Sequence, residues 1–442
     1  MKKRIPLITL LSILFIINIS SQNTFDLIRN LKKEKITFKL KNNLILLPII
    51  LNGEKLTFLL DTGIKQSLLF NVTTIDSLEL KNIKKVKIKG LGEEKYFDAL
   101  ESKNNLLRIR NIVCPDFKIL VILNKKFDFS SRMGTNINGI IGSELFKDFV
   151  VKINYQRKRI TFAKPEFYKY RKCRKCQEFP LTFHHQKPYI NTTIIDADNK
   201  KVPVKLLIDS GSGDSLWLFE KSSPKITIPE KNFTDFLGKG LSGNIYGKKS
   251  KLNSLEIGTF KFNNLLVSYP DSTSVLNSRL TYRRNGILGS EILKRFCAIY
   301  DYGNRKITLK KNKNYKKQFY YDKSGLDIIH NGKVLVREMK SKLDYAGSDM
   351  NSDNSKSVLT YSYSYVFKNS YIVAMVKPNS VAEFAGIQKG DVILEINGTP
   401  IYTLSLQEIT QKMSDKEGRT IKLLIDRRGV QYTFKFKLKD LL

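Results

Sequence analysis

Four cysteines, three histidines and one tryptophan in 442 residues leave several kinds of chemistry unprovided for. So few cysteines cannot staple a disulfide-dense scaffold. No stretch reaches the roughly 20 apolar residues that a spanning helix needs. The one nearly unbroken apolar run, Ile5 to Ile19, falls short of it, which excludes a polytopic membrane protein. Acidic residues are scarce beside basic ones: 41 Asp+Glu stand against 77 Lys+Arg, a formal charge of +36. Such a surplus raises nucleic acid or an anionic surface as a partner. The competing reading is a lysine-rich compositional bias, and it is preferred because the basic residues are spread along the chain, with no patch interleaved with a nucleic-acid-binding motif. What is present is ordinary core material. At 41% hydrophobic and 11% aromatic the chain can pack several domains, and its length suggests two to four.

The first residues have the layout of an export signal: Lys2-Lys3-Arg4, the apolar run Ile5 to Ile19, then the small residues Ser20-Ser21, with cleavage expected before Gln22. No cysteine stands near that point, so lipid attachment there is not expected. The expected location is periplasmic or secreted, as a bacterial exported protein. Export leaves little access to chromosomal DNA and argues further against a nucleic-acid partner.

The first two thirds of the chain repeats itself. Asn138-Gly-Ile-Ile-Gly-Ser-Glu-Leu-Phe-Lys-Asp-Phe149 returns as Asn285-Gly-Ile-Leu-Gly-Ser-Glu-Ile-Leu-Lys-Arg-Phe296, an offset of 147 residues. Upstream, Phe58-Leu-Leu-Asp-Thr-Gly63 returns as Leu206-Leu-Ile-Asp-Ser-Gly211, its Asp offset by 148. Between them, Lys89-Gly-Leu-Gly92 matches Lys239-Gly-Leu-Ser-Gly243. Each unit reads as mainly β. Asn43 to Leu51 and Leu56 to Leu60 are apolar runs joined through Asn52-Gly53, a strong hairpin signal. Strands are expected at Val150 to Tyr155 and Ala298 to Tyr302, each after a short helical stretch. Lys310 to Lys323, basic and aromatic, reads as a linker. Ser341 to Ser357, rich in Ser, Asp and Asn, reads as a flexible insertion.

One Asp-(Thr/Ser)-Gly tripeptide is expected on the order of 0.2 times in a chain of this length at average usage. Here there are two, each ending an apolar strand, and each precedes a Gly-apolar-apolar-Gly motif by a nearly constant interval: 78 residues from Asp61 to Gly139 and 77 from Asp209 to Gly286. This pattern resembles the aspartic proteases, specifically the retropepsin-like group in bacterial tandem form, over roughly residues 37 to 312. The resemblance implies a mainly β, bilobal acid-protease unit of the double-psi type, built from two similar halves. Residues 22–165 would form the first lobe and 166–315 the second. It also implies an endopeptidase that needs no metal or cofactor and no dimer, since one chain supplies both lobes.

Water-driven peptide hydrolysis needs a base for the water and an acid for the carbonyl oxygen. Two carboxyls about 3 Å apart cannot both ionise, so a pair sharing one proton supplies both. Asp61 and Asp209 are the candidates. Gly63 and Gly211 permit close backbone approach, and the resemblance assigns Thr62 and Ser210 to hydroxyl contacts across to the opposite loop. Gly139, Gly142, Gly286 and Gly289 would brace the loops. Gly90, Gly92, Gly240 and Gly243 are the flap candidates. The first loop departs from the family pattern: Ser212 offers Asp209 a hydroxyl, whereas Ile64 offers Asp61 none, so an asymmetric pair is expected. The alternative reading is a catalytically inactive peptide-binding protein.

From about 324 to 442 the pattern changes. Ala385-Gly386-Ile387, Lys389-Gly390-Asp391-Val392-Ile393 and Ile396-Asn397-Gly398 resemble a bacterial PDZ domain, an α+β module. Leu404 to Met413 would be its groove helix. The resemblance implies an extended-peptide partner, often a free C-terminus, with Gly325-Leu326 a candidate carboxylate loop. Cys173-Arg-Lys-Cys176 and His184-His185 superficially suggest zinc. A local disulfide or free thiols is the preferred reading, because adjacent histidines rarely converge on one ion.

Overall fold

The computed structural model describes residues 23–71, 77–88, 97–123, 129–196, 198–240, 243–275, 283–346 and 356–442. The expected export signal therefore lies outside the described residues, as do Gly90 and Gly92. Among the described residues no helix is long and apolar enough to cross a membrane.

The chain is mainly β. The Asn52-Gly53 signal makes the expected tight turn: both residues have positive φ, 49° and 96°, and join Leu44–Leu51 to Glu54–Leu60. In the first lobe the short strand Gly139–Ile141 inserts between Glu54–Leu60, to which it runs parallel, and Leu68–Leu69, to which it runs antiparallel. The second lobe repeats this arrangement with Gly286–Leu288 between Lys201–Ile208 and Leu216–Leu218. Even the register repeats: Gly139, Ile140 and Ile141 pair with Phe58, Leu59 and Leu60, as Gly286, Ile287 and Leu288 pair with Leu206, Leu207 and Ile208. These strands are apolar on both faces because both faces are covered.

A six-stranded sheet crosses between the lobes. Its centre is the antiparallel pair Val150–Asn154 and Phe296–Asp301, one strand from each repeat. One apolar core runs through this sheet into both lobes, from Ile36 and Val151 to Ala298 and Leu309. The lobes are thereby held by shared burial rather than by a tether.

Lys310 to Lys323 is not a free linker. Tyr315 and Phe319 pack on Phe262, with ring centroids 5.0 and 6.4 Å away. The Arg295 guanidinium, 1% exposed, lies 3.9 Å over the Phe319 ring and donates to the Tyr315 carbonyl at 3.2 Å. A buried cation that is satisfied by the segment's own carbonyls fixes that segment in place.

Leu326–Ala346 and Lys356–Val376 form a long antiparallel arm. Ser341 to Ala346 and Lys356-Ser357 therefore belong to strands, which corrects the expectation of a flexible insertion; residues 347–355 lie outside the described residues. The alternating Tyr361, Tyr363, Tyr365 and Phe367 pair with Ser341, Met339, Arg337 and Leu335 and favour extended backbone, and the ladder continues from them to Ala346 and Lys356. The C-terminal module has its own core around Ile393, Ile409, Leu423 and Ile425. Its helix, Leu406–Met413, opens with a capping box in which Ser405 and Glu408 satisfy each other's backbone amides. Cys173 and Cys176 are joined as a local disulfide.

Candidate active site

Asp61 and Asp209 sit just past Glu54–Leu60 and Lys201–Ile208, beside the ends of the inserted strands. The amide of Asp61 donates to the Ile141 carbonyl and that of Asp209 to the Leu288 carbonyl, both at 3.0 Å. Each loop is then held from behind by the repeated glycines. A Cβ on Gly139 would meet the Phe58 ring at 2.6 Å, and one on Gly142 would press the carbonyls of Ile64 and Lys65 at 3.1 Å. Gly286 abuts the Trp217 carbonyl and Gly289 the carbonyls of Asp214 and Ser212. The residue after each second glycine hydrogen-bonds the loop, Ser143 to Ile64 at 2.9 Å and Ser290 to Ser212 at 2.8 Å.

Thr62 and Ser210 cross between the lobes. Each amide donates to the other's hydroxyl oxygen at 3.0 Å. The Thr62 hydroxyl donates to the Ile208 carbonyl at 2.8 Å and the Ser210 hydroxyl to the Leu60 carbonyl at 2.9 Å. Both residues are fully buried, so these bonds form without competition from water.

This bracing brings the carboxyls together. A Cβ on Gly63 would lie 2.6 Å from Cγ of Asp209, and one on Gly211 would lie still closer to Cγ of Asp61. Each carboxyl thus occupies the space that a side chain on the opposite loop's glycine would need. Asp61 is also hydrogen-bonded to Asp209. Burial first, and then the negative charge of Asp209, hold the Asp61 carboxyl well above its ordinary value of 3.8, against the opposing Gly63 amide bond.

The two carboxyls are not equivalent. Oδ1 of Asp209 accepts from the amides of Gly211 and Ser212, at 2.8 and 3.1 Å. Oδ1 of Asp61 accepts from the Gly63 amide at 2.6 Å. Ser212 makes its contact through the backbone amide, not through the hydroxyl anticipated from the sequence, because the loop turns that amide onto the carboxylate. Ile64 turns away to pack with the apolar cluster around Leu46 and Leu59.

Some neighbours of the site escape sequence reading. Glu144, 8% exposed, accepts from the Ser67 amide at 3.1 Å, from the Ser67 hydroxyl, and from Asn23 at 2.8 Å. Ser67 in turn accepts from the Gly142 amide at 3.0 Å, so Glu144 braces the first loop through Ser67. Burial pushes the Glu144 carboxyl up to about 7 despite these bonds. Its repeat in both Gly-Ser-Glu motifs was a usable signal, but the partners differ: Glu291 pairs with Arg295 and Lys294 and accepts from Asn43 of the other lobe. Lys187 stands near enough to feel both aspartates; burial and then Arg284 lower its pKa, while Asp61 and Asp209 oppose that shift. It lies outside every repeated motif, and nothing local marks it.

The flap candidates Gly240 and Gly243 face each other across the end of the hairpin Phe233–Gly240 and Gly243–Ile257. In the module, Gly386, Gly390 and Gly398 all have positive φ and make turns. Asp391, 1% exposed, holds Arg427 through two contacts of 2.7 Å, and Asn397 accepts from the Lys422 amide at 2.8 Å. These residues maintain the module's turns.

The aspartyl protease family model matches residues 47–145, and the PDZ domain model matches residues 372–427. The chain carries an aspartyl protease domain and a C-terminal PDZ domain. The family match lies within the first lobe; the second lobe has the same inserted-strand arrangement, register and crossing loop contacts. Among solved structures the chain is similar to an aspartic proteinase from Irpex lacteus, with 15% identity and a TM-score of 0.41, covering 64% of this chain and 99% of that one. No curated protein matches the sequence.

Proposed function

We propose that this protein is an exported aspartic endopeptidase in which Asp61 and Asp209 share one proton and activate water against a peptide bond. The reading rests chiefly on one observation: two carboxyls, one from each lobe, each seated against the opposite loop's glycine and fixed by the Thr62–Ser210 exchange. The ionised carboxylate takes a proton from water as the water oxygen attacks the carbonyl carbon. The protonated carboxyl gives its proton to the carbonyl oxygen. Collapse of the resulting diol breaks the C–N bond, and the departing nitrogen receives a proton from the pair. Asp209 accepts two loop amides and Asp61 one, which favours the ionised form on Asp209 and the shared proton on Asp61 in the resting pair. No cofactor enters these steps, and one chain supplies both carboxyls.

The partner is a peptide or protein substrate, with the β hairpin ending at Gly240 and Gly243 covering it. Loss of peptide cleavage in both Asp61→Asn and Asp209→Asn tests the assignment. The first loop favours a second reading, a peptide-binding protein that has lost catalysis, because Asp61 accepts one loop amide where Asp209 accepts two. Cleavage by the unaltered chain decides against it.

A further inference from the structure

Arg132 joins three parts of the molecule. It lies in the single helical turn Ser130–Met133 of the first lobe. Its Nη1 sits 3.0 and 2.8 Å from the two carboxylate oxygens of Asp327, on the module's strand Leu326–Ala346. Its guanidinium also lies 3.7 Å over the ring of Phe236, in the second lobe's hairpin. One planar cation thus satisfies a carboxylate on one side and stacks on an aromatic face on the other.

The place it occupies matters. Leu326–Ala346 is the edge strand of the module's sheet. A Cβ on Gly134, which ends the Arg132 turn, would lie 3.8 Å from Cβ of Leu406, at the start of the helix Leu406–Met413. The turn therefore straddles the edge strand and the helix, the two elements between which an added peptide strand would lie. The loop at the mouth is satisfied internally as well. The amides of Ser324 and Gly325 donate to Asp322 at 3.1 and 2.8 Å, and the Leu326 amide donates to the Ser324 hydroxyl at 3.1 Å.

A second tie runs beside the first. Lys377 of the module, 4% exposed, reaches Asp322 at 3.2 Å and Asp235 of the hairpin at 3.4 Å. Asp235 also holds Lys249 at 3.1 Å, and Lys249 reaches Asp214 at 3.8 Å. Asp214 is fixed by Trp217 at 2.7 Å and Ser268 at 2.8 Å, and its carbonyl accepts the Glu291 amide at 3.2 Å behind the Asp209 loop. Charges of alternating sign thus lead from the module, through the hairpin, to the loop that carries Asp209. The three inner charges, Lys377, Asp235 and Lys249, are each paired twice, and charges so held are costly to separate one at a time.

We propose that the PDZ module docks in cis as a wall of the cleft, with Arg132 and Lys377 as positioning residues that hold the paired strands Phe233–Gly240 and Gly243–Ile257 closed. Admission of a chain to the cleft then requires the module to release that hairpin. The functional half of this proposal rests on the protease reading; the docking half does not.

Amide hydrogen exchange on the full chain separates the two. Arg132→Ala, and Asp327→Asn as a variant that preserves side-chain size, should each raise exchange in residues 233–240 and 243–257 about tenfold, together with residues 326–329. Combining them should add little to either alone. Lys306→Ala, which breaks a surface pair with Glu178 on the sheet between the lobes, should leave the hairpin unchanged. Unchanged hairpin exchange in both Arg132→Ala and Asp327→Asn overturns the proposal. With a peptide substrate, Arg132→Ala should lower KM several-fold at constant kcat, as expected for easier entry; a fall in kcat alone contradicts the gating role. If the hairpin loosens but no variant and no wild-type preparation cleaves any peptide, docking stands and the protease reading fails.

Discussion

Thr62 and Ser210 hold each other's backbone, each amide donating to the other's hydroxyl oxygen at 3.0 Å across the boundary between the lobes. Replacing Thr62 by Val removes an acceptor from the Ser210 amide and a donor from the Ile208 carbonyl in a dry site. The expected cost is about 1–3 kcal/mol in denaturant unfolding, with a larger loss of cleavage than the stability change explains. Ser210→Thr, which keeps the hydroxyl, should retain most of both. Equal effects of the two substitutions would separate the hydroxyls from the site's geometry.

Gly63→Ala places a methyl where the Asp209 carboxyl now sits, 2.6 Å from its Cγ. The pair must separate to admit it. Displacement of a reacting group by about 1 Å costs on the order of a hundredfold in rate, so kcat should fall at least that far. Retained activity measured by steady-state kinetics would show that the carboxyls are not required in contact.

The raised pKa of Asp61 sets a direction for pH dependence. The folded chain keeps this proton over a range above 3.8 in which the unfolded chain has lost it. Folding therefore takes up a proton there, and the contribution of Asp61 to stability falls as pH rises. Cleavage should have its alkaline limb well above 3.8, where the pair loses its shared proton. Ser212 reaches Asp209 through its backbone amide, which Ile64 also carries, so Ile64→Ser should leave that limb in place. A limb that moves to lower pH in Ile64→Ser would show that the hydroxyl at this position does support the ionised pair.

Glu144 gives an independent titration. Its carboxyl is raised from 4.5 to about 7, so the folded state binds the extra proton through that window. Stability should decline with rising pH across it, with a slope of up to about 1.4 kcal/mol per pH unit. Glu144→Gln should abolish that slope and loosen the loop through Ser67. Denaturant unfolding of both proteins between these pH values checks the sign.

The duplicated lobes were legible because each repeats the same residues at almost one interval: the Asp61 and Asp209 tripeptides and the Gly139 and Gly286 motifs. The module was legible through glycines that its turns need at Gly386, Gly390 and Gly398. Other features left no local trace. The pairing of Val150–Asn154 with Phe296–Asp301 links strands that each read as strands, but nothing in either names its partner. Polar composition hid the end of the arm around Ser341 and Ser357, which continues the ladder begun beside the alternating Tyr361 to Phe367. The segment Lys310 to Lys323 reads as a linker because its anchor, Arg295, is a charged residue that the fold buries. Arg132 and Lys187 carry no motif at all, since their importance comes from where separate elements bring them.

Cleavage of a broad peptide library by the unaltered chain, beside Asp61→Asn and Asp209→Asn, bears most directly on the shared-proton pair. The unaltered chain should yield new peptide termini, and neither variant should yield them above the uncatalysed background. Full activity in either single Asn variant would contradict a mechanism that needs both carboxyls.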